Sequence, residues 1–178
     1  MNTMNTTTHP SPRWLRLLRH RWLDETDARR SLDDDALDRL QQRVVASERR
    51  HSDEIRLCVE AGLPLSYLWR GASARERAVA MFGKLRVWDT EHNNGVLIYL
   101  LLAEHAIEVV ADRGVNRVVP QAEWERLLAG MAEAFKAHRF EPGLMQAIDA
   151  VESLLVRHFP LAAGAQRLNE LPDRPHRG

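Results

Sequence analysis

An α/β fold built on a small mixed sheet is what this chain predicts, and three observations predict it. Two short apolar runs, Val96–Leu102 and Ala106–Val110, follow an Asn-Asn-Gly turn signal and are joined by Ala103, Glu104 and His105, the pattern of a β-hairpin. A third run, Ile55–Val59, lies upstream and is separated from the hairpin by a segment with helical periodicity. Further segments of helical spacing precede the first strand and follow the hairpin. The order of elements is therefore α-α-β-α-β-β-α-α.

Each element has a local reason. Residues 1–12 are polar, Thr-rich and broken by Pro10 and Pro12, and read as a disordered leader. Residues 13–30 hold a basic amphipathic helix and a linker. In Arg13–Leu23, Trp14, Leu15, Leu18 and Trp22 share one face, and Arg13, Arg16, Arg19 and His20 cover most of the other. Such a helix suits an anionic membrane surface, or docking on its own domain with the arginine stems over apolar surface. Ser31 reads as the N-cap of a helix reaching Arg50, with Leu37, Leu40, Val44 and Val45 as its apolar stripe and Asp33–Asp35 favoured by the dipole at its start. Gly62-Leu63-Pro64 ends the first strand, and the apolar stretch Leu63–Trp69 reads as a loop. Ser73 caps a helix to Val87. Pro120 opens a helix burying Trp124, Leu127, Leu128, Met131 and Phe135; Pro142 opens the last, which ends before Pro160. One domain over residues 31–160 and a flexible tail over 161–178 follow.

Composition narrows the function classes. The chain has 178 residues, 44% hydrophobic and 28% charged, which fits a globular domain. Lys plus Arg equal Asp plus Glu at 25 each, so no net field points to nucleic acid. A single cysteine, Cys58, excludes an internal disulfide and a four-cysteine zinc site. The N-terminus lacks the apolar core of a signal peptide, and no apolar run reaches the roughly 18–20 residues of a membrane span. A cytoplasmic protein is the expectation, peripheral at the inner face of the membrane if the basic helix binds lipid. Nothing in the pattern fixes an oligomeric state.

Topology decides which polar residues meet. A helix between the first and second strands makes them parallel with a right-handed crossover, and the hairpin makes the third antiparallel. One rim of the sheet then gathers His51, Ser52, Asp53 and Glu54, the stretch Asp89–Asn94, and Asp112 with Arg113. The opposite rim gathers Glu60, Ser66, Tyr67, Glu104 and His105. Ligands of open α/β sheets favour the carboxyl ends of parallel strands, the second rim. The first rim nevertheless carries more oxygen ligands and is the preferred site. Asp89, Glu91, Asn93, Asn94 and Asp112 are its candidate metal ligands, hard donors suited to Ca²⁺ or Mg²⁺. The structural alternative is that Asn-Asn-Gly is turn chemistry and Asp112-Arg113-Gly114 a strand exit.

Asn94-Gly95-Val96-Leu97-Ile98 and Ile107-Glu108-Val109-Val110-Ala111-Asp112-Arg113-Gly114, followed by a helix with Trp124 and Phe135 and by Phe140-Glu141-Pro142-Gly143, resemble the TPM domain family across about Asp33 to Pro160. The resemblance implies a three-layer α/β/α sandwich. It also implies one of several roles, since similar domains are linked to photosystem repair, receptor assembly, divalent-metal binding and phosphatase activity. In the family pattern the position before Asn-Gly is acidic; here it is Asn93, with His92 before it, which lowers the charge density.

Two functional expectations result. The first is an accessory module that binds a protein partner or membrane surface through Arg13–Leu23 and the Leu63–Trp69 loop, supports assembly or maintenance of an envelope complex, and carries a divalent-cation site. The second is a divalent-metal-dependent, acid phosphatase-like hydrolase of phosphomonoesters. There Asp112 would act as ligand or base, Arg113 would pair with phosphate oxygens and His92 would serve as general acid. The chain has no C-x₅-R loop, D-x-D-x-T motif or Gly-rich phosphate cradle, which favours the first.

Overall fold

A parallel pair of strands, extended on one side by a hairpin and on the other by the chain's last residues, forms the centre of the computed structural model. It describes residues 31–161 and 169–178; the leader and the basic Arg13–Leu23 helix lie outside the described residues. The elements are α1 (Asp34–Glu48), β1 (Glu54–Glu60), α2 (Leu65–Trp69), α3 (Ala74–Lys84), β2 (Gly95–Leu101), β3 (Ala106–Ala111), α4 (Arg113–Val118), α5 (Gln121–Lys136), α6 (Phe140–His158) and β4 (His176–Arg177), with a 3-10 turn at Leu102–Glu104. The sheet order is β3-β2-β1-β4. β1 and β2 are parallel with Leu57 beside Ile98, and β2 and β3 are antiparallel with Ile98 beside Val109, as the sequence predicts.

Every residue of β1 and β2 is buried, because helices cover both faces of the sheet. Ile55, Leu57, Val59, Val96, Ile98 and Leu100 face α1, α5 and α6 in the larger core, where Phe135 is fully buried. Cys58, Leu97, Tyr99 and Leu101 face α2 and α3 in the smaller one. Burial pushes the Cys58 thiol up to about 12, helped by the neighbouring Glu60 charge, so it is a packing residue and not a nucleophile. Mixed strands between helical layers make the α/β/α sandwich. The hydrophobic patterns suffice for it, since each face buries one parity of the strand residues.

Several local expectations shift by a turn. Asp33, not Ser31, caps α1, its Oδ1 accepting from the Ala36 N–H at 2.7 Å. Ser73 does cap α3, and Glu76 reaches back to complete a capping box. The Leu63–Trp69 segment is not a loop throughout: it contains α2, initiated at Pro64. α6 begins at Phe140, with Pro142 inside its first turn, where a missing N–H leaves no bond unmade.

An ionic seam joins α1 to α6. Arg39 grips Glu141 at 2.6 and 2.9 Å, Arg43 meets Asp149 at 2.6 Å, and both Arg43 and Arg50 donate to Glu152. Glu152 is buried against the larger core. Burial alone pushes its carboxyl up; hydrogen bonds and charge from Arg43 and Arg50 more than offset that and leave it below its ordinary value.

The reading of residues 161–178 as a flexible tail does not hold for 169–178. This stretch runs along the open side of β1 and ends in β4, where His176 pairs with Cys58 and Arg177 with Val59. The buried Arg56 guanidinium donates to the carbonyls of Pro172 and Arg174, Leu171 is buried, and Arg177 donates to the Leu32 carbonyl at 2.6 Å. A two-residue strand just after Pro175 carries no periodicity, so the sequence pattern cannot reveal it.

The other lateral side of the sheet is closed differently. Asp112 donates its N–H inward to Gly95, so alternation turns the backbone groups of Val109 and Ala111 outward. Arg75 of α3 donates to the Val109 carbonyl and Asn116 of α4 to that of Ala111.

Candidate functional site

Three strand ends meet at the preferred rim. Glu54 pairs with Gly95 in the parallel ladder, and Glu54 N–H donates to the Asn94 carbonyl at 3.2 Å, so Asp53 and Asn94 start adjacent strands side by side. Both follow the parity of Ile55 and Val96 and lie on the larger-core face. Asp112 closes β3 next to Gly95, its N–H donating to the Gly95 carbonyl at 2.9 Å.

The chain is forced tight at this point. A Cβ on Gly95 would lie 2.0 Å from the Val87 carbonyl oxygen, so only glycine lets the segment after α3 press against β2. A Cβ on Gly114 would lie 2.5 Å from the Asn93 carbonyl, which accepts the Gly114 N–H at 2.9 Å. Asn93 itself has φ +52°, the left-handed region that asparagine tolerates.

The candidate ligands divide into two groups. Asn94 and Asp112 are buried at 6% exposure each, and Asp53 is fully buried. Asn94 Nδ2 donates to the Ser52 carbonyl at 2.6 Å and Asp112 Oδ1 accepts the Arg113 N–H at 2.6 Å. Asn94 Oδ1 and Asp112 Oδ2, both buried, accept no hydrogen bond among the described residues. By contrast Asp89, Glu91 and His92 are exposed. Asp89 lies 3.9 Å from Arg86, and the Glu91 backbone N–H donates to Glu170 at 2.9 Å. Arg113 is exposed and reaches Asn93 Oδ1 at 3.4 Å. Among the described residues no three His, Cys, Asp or Glu side chains form a metal cluster; Asp53 and Asn94 share the larger-core face, and Asp112 follows the parity of Val110 at the edge of the other.

Asp112 is not a plain strand exit. It is also the N-cap of α4, a helix that the Asp-Arg-Gly sequence conceals behind a strand-end pattern. Asp53 was on the expected rim but not among the expected ligands. Its signal was its place one residue before β1, in register with Asn94.

The opposite rim holds a polar network that is fully bonded. Arg77 of α3 clamps Glu60 with two hydrogen bonds, 2.8 and 2.5 Å, and the buried Tyr99 hydroxyl donates to Glu60 at 2.7 Å. The Glu60 carboxylate raises the Arg77 guanidinium above its ordinary value, and burial followed by the Glu60 charge raises the Tyr99 phenol. Arg70 and Arg77 both lie against the Tyr67 ring, at 4.6 and 5.0 Å from its centroid. Beyond this network α2 presents Leu65 and Trp69, one helical turn apart, at 61% and 78% exposure.

A sandwich with a central parallel pair, a hairpin and an Asn-Gly rim defines a class of small α/β domains, and comparison with known proteins places the chain within it. The TPM domain family model matches residues 26–154, and the chain belongs to that family. The fold is also similar to the NMR structure of the BA42 protein from the psychrophilic bacterium Bizionia argentinensis, with a TM-score of 0.71 and 25% identity over 83% of this chain and 95% of that one. Among curated proteins none matches. No helix among the described residues is long and apolar enough to cross a membrane.

Proposed function

We propose that this chain is a TPM accessory module that carries a divalent cation at its Asp53–Asn94–Asp112 rim and engages an envelope-associated partner or membrane surface through the tip of α2. The observation behind the cation is the pair of buried, unpartnered oxygens, Asn94 Oδ1 and Asp112 Oδ2. Leaving such an acceptor unsatisfied costs about 1–3 kcal/mol, and a buried group of this kind calls for a water or an ion. Two carboxylates and an amide carbonyl are hard donors that fit Ca²⁺ or Mg²⁺, with backbone carbonyls and water completing the shell. Asp89, Glu91 and Asn93 would line the approach instead of binding the ion directly.

Calorimetric titration of metal-free protein with Ca²⁺ and then Mg²⁺ tests this. The expected result is saturable binding that falls at least tenfold in Asp53→Asn and in Asp112→Asn. Absence of heat and of thermal stabilisation at millimolar metal would make the rim a set of hydrated turns.

The contact role rests on Leu65 and Trp69, large apolar side chains held outward by the buried Leu68 of the same short helix. A cytoplasmic position, peripheral at the inner face of the membrane, goes with this reading. Trp69→Ala is expected to weaken co-sedimentation of the full chain with anionic phospholipid vesicles, or with membranes in lysate, several-fold. Unchanged partitioning on both would remove α2 from the contact.

A second reading, phosphomonoester hydrolysis, is favoured by one feature, the exposed Arg113 beside the rim. A bound cation would supply Lewis-acid polarisation of a phosphoryl oxygen. Arg113 would hold a second phosphate oxygen through its planar fork, and His92 is on the solvent side, where a leaving group would depart. Turnover by the metal-loaded protein that is lost in Arg113→Ala, with cation affinity retained, separates this reading from the first.

A further inference from the structure

At the end of the hairpin away from the rim, two histidines from distant parts of the chain touch. His105 follows the 3-10 turn between β2 and β3, and His138 follows the last turn of α5. Their ring centroids are 4.2 Å apart with the planes at 72°, and Phe140 packs 5.8 Å from each. We propose that this pair is a bis-imidazole site for a borderline divalent metal such as Zn²⁺, separate from the hard-oxygen rim.

The backbone gives the first reason. His105 has φ +50° and His138 φ +56°, both in the left-handed region. At His138 the chain closes α5 with a Schellman pattern, His138 N–H to Phe135 and Arg139 N–H to Ala134, each at 3.0 Å. Glycine is the residue that position favours, and asparagine comes next. Histidine is among the side chains enriched in this region, so both corners admit an imidazole, and the two chain reversals bring the rings together.

Coordination chemistry gives the second. Neutral imidazole nitrogen suits Zn²⁺, Ni²⁺ and Cu²⁺, whereas the carboxylate and amide oxygens of the rim suit Ca²⁺ and Mg²⁺. With Zn–N near 2.0–2.1 Å, two imidazoles on one tetrahedral ion hold their centroids roughly 5 Å apart. The observed 4.2 Å is within about an ångström of that, a small opening for two corner side chains. His138 is exposed and His105 half-buried, so an ion and its remaining water ligands can enter from solvent, with buried Phe140 as the apolar floor. Glu104, Lys136 and Arg139 are the charged residues on the two corners. The sites are independent in space, since β2 alone spans about 20 Å at roughly 3.3 Å per residue.

Zn²⁺ titration of the full chain, read by calorimetry and by imidazole NMR shifts, tests the proposal. Wild type should bind at micromolar to sub-millimolar Zn²⁺ with the His105 and His138 resonances moving together. His105→Asn and His138→Asn keep a residue that tolerates the left-handed backbone and should each lose at least tenfold in Zn²⁺ affinity. Asp112→Asn should bind Zn²⁺ at this pair as wild type does, and Ca²⁺ should leave both imidazole resonances unmoved. Zn²⁺ affinity unchanged in both asparagine variants, or shifts confined to other histidines, would overturn the assignment.

Discussion

Arg77→Met is expected to lower stability by about 3–5 kcal/mol, the cost of stranding one member of a buried charge pair. Glu60 and Arg77 have side chains only 6% and 12% exposed, and removing the arginine takes both guanidinium bonds from the Glu60 carboxylate. Tyr99 would still donate to it, but one hydroxyl does not replace a two-bonded guanidinium. The methylene stem of methionine keeps most of the packing against Tyr67, which isolates the charge effect. Adding Glu60→Gln should recover part of the loss, because the amide still accepts from Tyr99 and no charge is left buried. Urea unfolding of the two single variants and the double variant measures the coupling. A loss below about 1 kcal/mol, or strict additivity in the cycle, would mean that water solvates this rim and that the pair is not buried in energetic terms.

Glu152→Gln should cost about 1.5–3 kcal/mol at pH 7, the range for hydrogen bonds to charged groups, and should also flatten the acid limb of the stability curve. Arg43 and Arg50 hold the Glu152 carboxyl below its ordinary value in the folded state, overcoming the opposing effect of burial. A group with a depressed folded pKa contributes stability that is present above the unfolded value, about 4.3 for glutamate, and is lost as pH falls through the folded one. Wild type should therefore lose stability below about pH 4.3 more steeply than the variant. Glu141, held down by Arg39, adds to the same limb in both proteins. Denaturant titrations at pH 7, 4 and 3 decide it: parallel pH profiles would show that the seam stabilises through packing alone.

Strand parity and helix spacing made the sandwich legible in the sequence. Ile55, Leu57 and Val59 alternate with Cys58, and the hairpin runs alternate likewise, so the two faces and the parallel-then-antiparallel pairing followed from residue order. What escaped was held by tertiary contact and not by local pattern. β4 exists because Arg56 and β1 offer partners to a polar segment that follows two prolines. α4 is one short turn and a half whose cap, Asp112, also ends a strand. At the rim, Asn94 and Asp112 were legible from their places at strand ends, and both are buried there. Asp89, Glu91 and His92 carry suitable chemistry, but a turn before β2 faces them to solvent. Composition alone cannot separate a carboxylate that lines a site from one that solvates a turn.

The two guarded flanks of the sheet constrain how this domain meets other molecules. One flank is taken by the chain's own last residues, and on the other Arg75 and Asn116 occupy outward carbonyls. Strand addition, the commonest way for a small sheet to capture an extended peptide or to pair with its own kind, meets occupied acceptors on both sides. Recognition is therefore left to side chains at corners and helix tips, such as the exposed Trp69 that carries the contact in the reading proposed above. The same closure protects the folded chain from edge-to-edge polymerisation at high local concentration.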